Sequence, residues 1–148
     1  FTESLDCYDE VLSYDEVKTL DNAQKIMIVD MAGHYGAMKD LHEHFGDHVK
    51  YSCKVGATHL DNLKGDTSQF PGAKPTFFFA PTQAQKRTEE WGAGEVQKRI
   101  GMSLKEFQIH SDQWMTVKRG SGLDEIKKIF TEVVQGNIPP NRGIILSV

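Results

Sequence analysis

The stretch that decides the fold is Lys25-Ile26-Met27-Ile28-Val29-Asp30-Met31, in which four apolar residues follow one another without alternation. Such a run is typical of a strand that is covered on both faces, as the central strands of α/β sheets are. We therefore expect Lys25 to Met31 to form the middle of a sheet that is flanked by helices.

The residues after this strand predict a helix. Met38, Leu41 and Phe45 recur at helical spacing, and Gly46 follows them as a residue that commonly ends helices. The prediction is a helix over Ala37 to Phe45.

A second strand is predicted over Lys50 to Val55, where Tyr51 and Cys53 alternate with polar neighbours. Asp61 to Phe70 is polar and predicts one or two helical turns at most. Before the first strand, Val11 to Tyr14 predicts a short strand, and a helix follows it. Ser13 and Glu16 have the spacing of a capping box for that helix.

Two further strands are predicted in the middle of the chain. Pro75 to Ala80 is rich in β-forming aromatic residues, Pro81 to Gln85 has turn residues, and Lys86 to Trp91 completes the pattern of an antiparallel hairpin.

The sequence predicts one domain over residues 1–148. Its core covers about 11–94 together with a last helix at 123–136, and residues 95–122 form an insertion before that helix. Residues 137–148 form a C-terminal tail. Glu95 to Ile100 is an alternative for the closing helix. The apolar periodicity is stronger at 123–136, and this favours the later helix.

The segment Asp30-Met31-Ala32-Gly33-His34-Tyr35-Gly36-Ala37-Met38-Lys39, together with Lys74-Pro75-Thr76, resembles the active-site half of a thioredoxin. Tyr35 and Met38 stand where that family has its two catalytic cysteines. The resemblance implies a thioredoxin-like α/β fold, with a central mixed sheet between helices, and a cis-proline at Pro75. It also implies the loss of dithiol–disulfide exchange, because neither a phenol nor a thioether can carry it out.

A redox-inactive thioredoxin-like fold implies binding without catalysis. We expect a protein-interaction or structural subunit of a larger assembly, with Tyr35 as an exposed aromatic anchor. Asp30 matches the family's buried carboxylate and is expected to be structural and hydrogen-bonded. The candidate partner-binding residues are His34, Tyr35, Gly36, Ala37, Met38, Lys74 and Pro75.

Two alternatives to this function stay open. A redox enzyme could use Cys53 or Cys7 as a single thiol or as a relocated pair, although a free cysteine in a strand more often packs as a small hydrophobe. The segments Thr131 to Gly136 and Arg142 to Ser147, with the run Phe77 to Phe79, also resemble the small thioredoxin-fold protein of the spliceosomal tri-snRNP, and this similarity implies a role in splicing.

Four histidines, His34, His42, His44 and His48, lie within fifteen residues. The spacing does not supply a convincing set of metal ligands, so solvated surface histidines are the expectation. No metal and no cofactor is predicted.

Composition restricts the partners. The 17 Lys and Arg against 21 Asp and Glu give a formal charge of -4, which argues against direct nucleic-acid binding. The apolar runs are too short to predict a membrane span. Two cysteines 46 positions apart favour free thiols and an intracellular rather than a secreted protein.

Overall fold

A computed structural model describes residues 1–56 and 65–148. The described chain divides into two compact units: a central unit, Glu10–Glu90, and a terminal unit made of Phe1–Asp9 and Trp91–Val148. One domain over the whole chain stays a prediction, and each unit is described by itself below.

The central unit contains a parallel three-stranded sheet. Strand β1 (Ile26–Asp30) leads into helix α1 (Tyr35–Phe45), which leads into strand β2 (Val49–Lys54). Strand β3 (Thr76–Phe77) is short and pairs with β2, so the order is β1-β2-β3. Both pairs are parallel. This arrangement confirms an α/β architecture.

The core of the central unit lies between the sheet and α1. Ile28 of β1 and Val49 of β2 are buried against Met38 and Phe45 of α1, and Phe70 closes the cluster. Each of these side chains removes apolar surface from water at roughly 25 cal/mol per Å², so this face of the sheet supplies most of the unit's apolar stabilisation.

Strand β1 was expected in the middle of the sheet, and this prediction is wrong. In the described sheet β1 is an edge strand and β2 is the middle strand. Because side chains alternate along a strand, Ile28 faces α1 while Met27 and Val29 point away from it. Those two side chains are 76% and 56% exposed. The apolar run therefore has only one covered face.

The capping box at Ser13 and Glu16 is confirmed. The Glu16 carboxylate accepts hydrogen bonds from the Ser13 backbone N–H and hydroxyl, at 2.8 and 2.6 Å. The element it opens is a 3-10 helix, Tyr14–Thr19. The strand predicted over Val11 to Tyr14 is wrong, since these residues are not in a strand. The short helix predicted over Asp61 to Phe70 lies partly outside the described residues.

The predicted antiparallel hairpin is also wrong. Residues assigned to its turn and second strand form helix α2 (Ala80–Trp91) instead. A proline is tolerated in the first helical turn, and the Lys, Gln, Arg and Glu residues after it are good helix formers. Lys86 and Glu90 add a pair at helical spacing, 3.9 Å apart.

The terminal unit contains helix α3 (Glu95–Ser111) and then a second strand–helix–strand arrangement. Strand β4 (Thr116–Ser121), helix α4 (Leu123–Val134) and strand β5 (Arg142–Ser147) follow in order, and β4 pairs with β5 in parallel. The helix expected at 123–136 is present as α4, the alternative Glu95 to Ile100 lies within α3, and which of them closes the predicted domain stays a prediction. The tail contributes a strand. No helix in the described ranges combines the length and apolar character needed to cross a bilayer.

Candidate functional site

The predicted partner-binding residues mostly form the start of α1 rather than an open surface. The half-buried His34 caps the helix, because its Nδ1 accepts a hydrogen bond from the Ala37 backbone N–H at 3.0 Å. Ala37 and Met38 are 7% and 2% exposed, so they pack in the interior. Gly36 is half-buried in the same first turn.

Tyr35 was expected to be an exposed anchor, and this prediction is wrong. Its ring is half-buried and lies 5.5 Å from the ring of Phe70. Its hydroxyl donates to the Asp66 carbonyl at 3.3 Å. A Cβ on Gly65 would come within 2.0 Å of the Tyr35 ring, so the loop packs directly on this side chain. Tyr35 therefore packs within its own unit instead of presenting its ring to solvent.

Lys74 and Pro75 precede β3, at its amino end. The Lys74 ammonium donates to the Phe70 carbonyl at 2.6 Å. The described residues contain no cis peptide bond, so the predicted cis-proline at Pro75 is wrong. The strand that follows, β3, pairs with β2 in parallel.

Asp30 ends β1 and is half-buried. Its Oδ1 accepts hydrogen bonds from the backbone N–H groups of Ala32 and Gly33, at 3.1 and 2.8 Å. These bonds hold the turn between β1 and α1, where Gly33 has a φ of 76° that a residue with a Cβ would rarely adopt. The hydrogen bonding expected for Asp30 is present, the residue is half-buried rather than buried, and its structural role stays a prediction.

The carboxyl ends of the three strands surround a cavity of about 240 Å³, here called the carboxyl-edge pocket. The last residues of β1, β2 and β3, which are Asp30, Lys54 and Phe77, all line it. The described residues that line it are Asp30, Gly33, Tyr35, Met38, Lys54, Gly56, Thr67 and Phe77.

Among the described lining residues, Lys54 is the cationic side chain. Its ammonium donates to the Thr67 hydroxyl at 3.3 Å, a long hydrogen bond. Across residues 1–56 and 65–148, no carboxylate lies within 4.0 Å of it. Asp30 is its register partner on β1, but that carboxylate already accepts two backbone bonds. The pocket therefore holds a half-buried positive charge to which the described residues contribute no carboxylate counterion.

The rim beside Lys54 is fixed by backbone contacts. The N–H groups of Val55 and Gly56 both donate to the Asp30 carbonyl, at 2.8 and 3.2 Å. A Cβ on Gly56 would lie 1.9 Å from the Met31 carbonyl oxygen, which is closer than any real side chain comes. Glycine is thus required for this close approach.

The opposite side of the sheet is the outer sheet face, formed by Met27, Val29, Met31 and Tyr51. Met27 and Val29 alternate with the buried Ile28, and Tyr51 pairs with Met27 in the register of β1 and β2. The four side chains are 76%, 56%, 63% and 46% exposed in that order. This face is apolar and open to solvent.

Cys53 lies on the same side as Tyr51 but is only 3% exposed. A hydrogen bond with the Cys53 thiol raises the pKa of the Tyr51 phenol, with smaller effects from charge interaction and burial. Cys7 is exposed, and both cysteines are free thiols, as predicted. Cys53 therefore behaves as a packed residue.

The clustered histidines were expected to be solvated, but their ring nitrogens contact other residues of the chain. His42 is fully buried, and its ring nitrogens lie 2.8 Å from the Pro71 carbonyl and 2.9 Å from the Ser52 hydroxyl. His44 and His48 contact the carbonyls of Leu20 and Asn22, at 2.8 and 2.6 Å. Within the described part of the chain, no group of three potential metal ligands comes together.

Lys54, Thr67 and Phe77 line the pocket but were not predicted as site residues. A signal was present for two of them, since Lys54 and Phe77 fall within predicted strands whose carboxyl ends meet at one edge of a parallel sheet. The prediction of an antiparallel hairpin placed Phe77 in the wrong orientation and hid this convergence.

Comparison with known proteins identifies a family for this chain. The model of the family described as "Protein of unknown function (DUF2855)" matches residues 1–139. No curated protein and no solved structure matches the chain.

Proposed function

We propose that this chain, which belongs to the DUF2855 family, is a non-catalytic protein-interaction module that docks its partner on the outer sheet face. The observation that carries the proposal is the exposure of Met27, Val29 and Tyr51 on one side of a parallel sheet. Parallel sheets are almost always covered on both faces, and contiguous exposed apolar side chains mark interaction sites.

The proposed occupant is an amphipathic helix of a partner protein. On the covered side, helix α1 packs on the sheet, and helices are the elements that usually cover parallel sheets. The strand residues that point outward, Met27, Val29, Tyr51, Cys53 and Thr76, carry no charge at neutral pH. The contacting side of the partner helix is therefore apolar, with the Tyr51 hydroxyl as the polar feature it has to accommodate.

Two features support binding over redox catalysis. Exchange chemistry needs an accessible attacking thiolate. Tyr35 and Met38 occupy the positions that hold sulfur in the resembled family, and Cys53 is 3% exposed. Docking on the outer sheet face requires only the parallel α/β sheet and does not require a thioredoxin-like fold. The exposed face follows from strand alternation alone.

The experiment is a selection from a displayed library of amphipathic helical peptides, using the 148-residue chain as bait. Selected peptides are expected to carry apolar residues at positions i, i+3, i+4 and i+7, the spacing of one helical face. Val29→Glu places a charge in the centre of the surface and should weaken their binding by about tenfold or more, because burying an unpaired charge is costly.

Phe130→Glu is the matched control, since Phe130 on α4 is 68% exposed and lies in the terminal unit. It should leave binding of the selected peptides unchanged. Peptides that bind Val29→Glu as well as the wild type would contradict the proposal. So would a homodimer that Val29→Glu dissociates, because a second copy would then cover the face. Insulin reduction that is lost in Cys53→Ser would contradict the absence of catalysis.

A further inference from the structure

We propose that the carboxyl-edge pocket binds a small organic carboxylate with an apolar body. Its position is the first argument. Asp30, Lys54 and Phe77 end three neighbouring parallel strands and line one cavity. In open parallel α/β sheets, the crevice beyond the carboxyl ends of the strands is where ligands bind, because side chains and turns from several strands converge there.

The positive charge of Lys54 indicates which polar group the ligand carries. The Lys54 ammonium is half-buried, has one long hydrogen bond to Thr67, and has no carboxylate within 4.0 Å among the described residues. A partly desolvated cation is stabilised by an anion, and a charge-assisted hydrogen bond to a carboxylate is stronger than a neutral one. The ligand therefore presents a negative group to Lys54.

The side chains that line the pocket indicate that the rest of the ligand is apolar. Tyr35 and Phe77 are aromatic, and Met38 presents its side chain beside them. Aromatic and thioether groups contact apolar rings favourably. The volume of about 240 Å³ corresponds to about eight water-sized groups. A single ring or a short chain bearing one carboxylate, such as benzoate, is of this size.

The site is also preorganised. The two backbone bonds from Val55 and Gly56 to the Asp30 carbonyl fix the rim, and the Tyr35 ring is held against Phe70. Groups that are already ordered lose little entropy when a ligand binds. An ordered rim of this kind fits ligand capture better than a surface depression that happens to be open.

The test is calorimetric titration of the 148-residue chain with benzoate and with benzamide, its neutral counterpart of the same shape. Benzoate should bind at least about fivefold more tightly, because the carboxylate pairs with Lys54. Lys54→Met should weaken benzoate about tenfold and leave benzamide unchanged, while Lys54→Arg should retain most of the benzoate affinity. Lys50→Met is the matched control on the same strand, since Lys50 lies outside the pocket lining, and it should change neither ligand.

Phe77→Ala keeps the proposal testable if Lys54→Met fails to fold. Phe77 is 71% exposed, so its truncation should be tolerated while weakening both ligands alike. Equal binding of benzoate and benzamide to the wild type would overturn the role of Lys54. Inorganic phosphate that displaces benzoate equally well would overturn the apolar requirement, and failure of both ligands to bind at millimolar concentration would overturn the site.

Discussion

Two strand–helix–strand segments of this protein use the same parallel arrangement but bury different amounts of their helices. Helix α1, between β1 and β2, has Met38, His42 and Phe45 in the interior. Helix α4, between β4 and β5, has Ile129 buried, whereas Phe130 and Val134 are 68% and 69% exposed. The same local topology thus gives a packed helix in one unit and a largely exposed one in the other.

The difference shows what apolar periodicity can and cannot tell. By sequence α4 is the more regular amphipathic helix, and its position was predicted well. Periodicity identifies a helix and its apolar stripe. It does not say whether another element packs on that stripe, because that element belongs to a different part of the chain or to a partner. The apolar residues of β1 and β2 on the outer sheet face likewise do not show by their pattern whether another element packs on them.

The largest expected effect comes from truncating the packed helix. Met38→Ala should lower the free energy of unfolding by about 2–5 kcal/mol, because it opens a cavity in the core. Phe130→Ala on α4 should cost less than about 0.5 kcal/mol, as an exposed substitution does. Urea denaturation of both variants measures the contrast. Equal losses would show that the two helices are buried alike.

His42→Phe tests the polar part of the packed helix and should cost about 2–3 kcal/mol. It removes the hydrogen bond to the buried Ser52 hydroxyl and leaves that group unpaired. Adding Ser52→Ala should restore part of the loss, because the unpaired hydroxyl is then absent. His110→Phe on exposed α3 is the control. A single variant as stable as the wild type would show that the contact is dispensable.

Two glycines sharpen the contrast between the units. Gly56→Ala should cost about 1–3 kcal/mol, because its Cβ would lie 1.9 Å from a backbone oxygen. Gly101→Ala should instead stabilise the chain by about 0.5–1 kcal/mol, since Gly101 is inside helix α3 with nothing within 4 Å of a built Cβ. Thermal unfolding of the two variants should shift in opposite directions. A shared direction would contradict the packing described at Gly56.

The smallest effect concerns the capping box. Hydrogen bonds from the Ser13 hydroxyl and backbone N–H lower the pKa of Glu16 below its usual value of 4.5. The ionised carboxylate is favoured in the folded chain, so its stabilisation is full above the unfolded pKa and is lost as pH falls through the folded one. The stability difference between wild type and Glu16→Gln should therefore shrink below about pH 4. A difference that is constant with pH would contradict this.

Much of the fold was predictable from local patterns. The positions of β1, α1, β2 and α4 follow from apolar runs, periodicity and glycine stops, and the structure confirms them. The alternation predicted for β2 is also present, with Ser52 facing α1 and contacting His42, and with Tyr51 and Cys53 on the other side. A strand pattern gives the alternation, and tertiary packing decides which set points inward.

The site was less predictable, for two physical reasons. His42 lies four residues after Met38 and three before Phe45, on the buried face of α1, but a polar residue type concealed that position. The carboxyl-edge pocket depends on three strands running parallel. Pro81 was interpreted as part of a hairpin turn, and it lies in the first turn of α2 instead. Because a hairpin was predicted there, the sequence did not indicate that the carboxyl ends of three parallel strands meet at the pocket.

One side of the β1-β2-β3 sheet is packed against α1, the other is an open apolar surface, and this asymmetry can be measured. Methionine oxidation by dilute peroxide, followed by peptide-resolved mass spectrometry, tests it directly, since the reaction requires access to sulfur. Met27 and Met31, at 76% and 63% exposure, should oxidise at rates close to those of the unfolded chain. Met38, at 2%, should be protected by about tenfold or more. Protection of Met27 equal to that of Met38 would contradict the account.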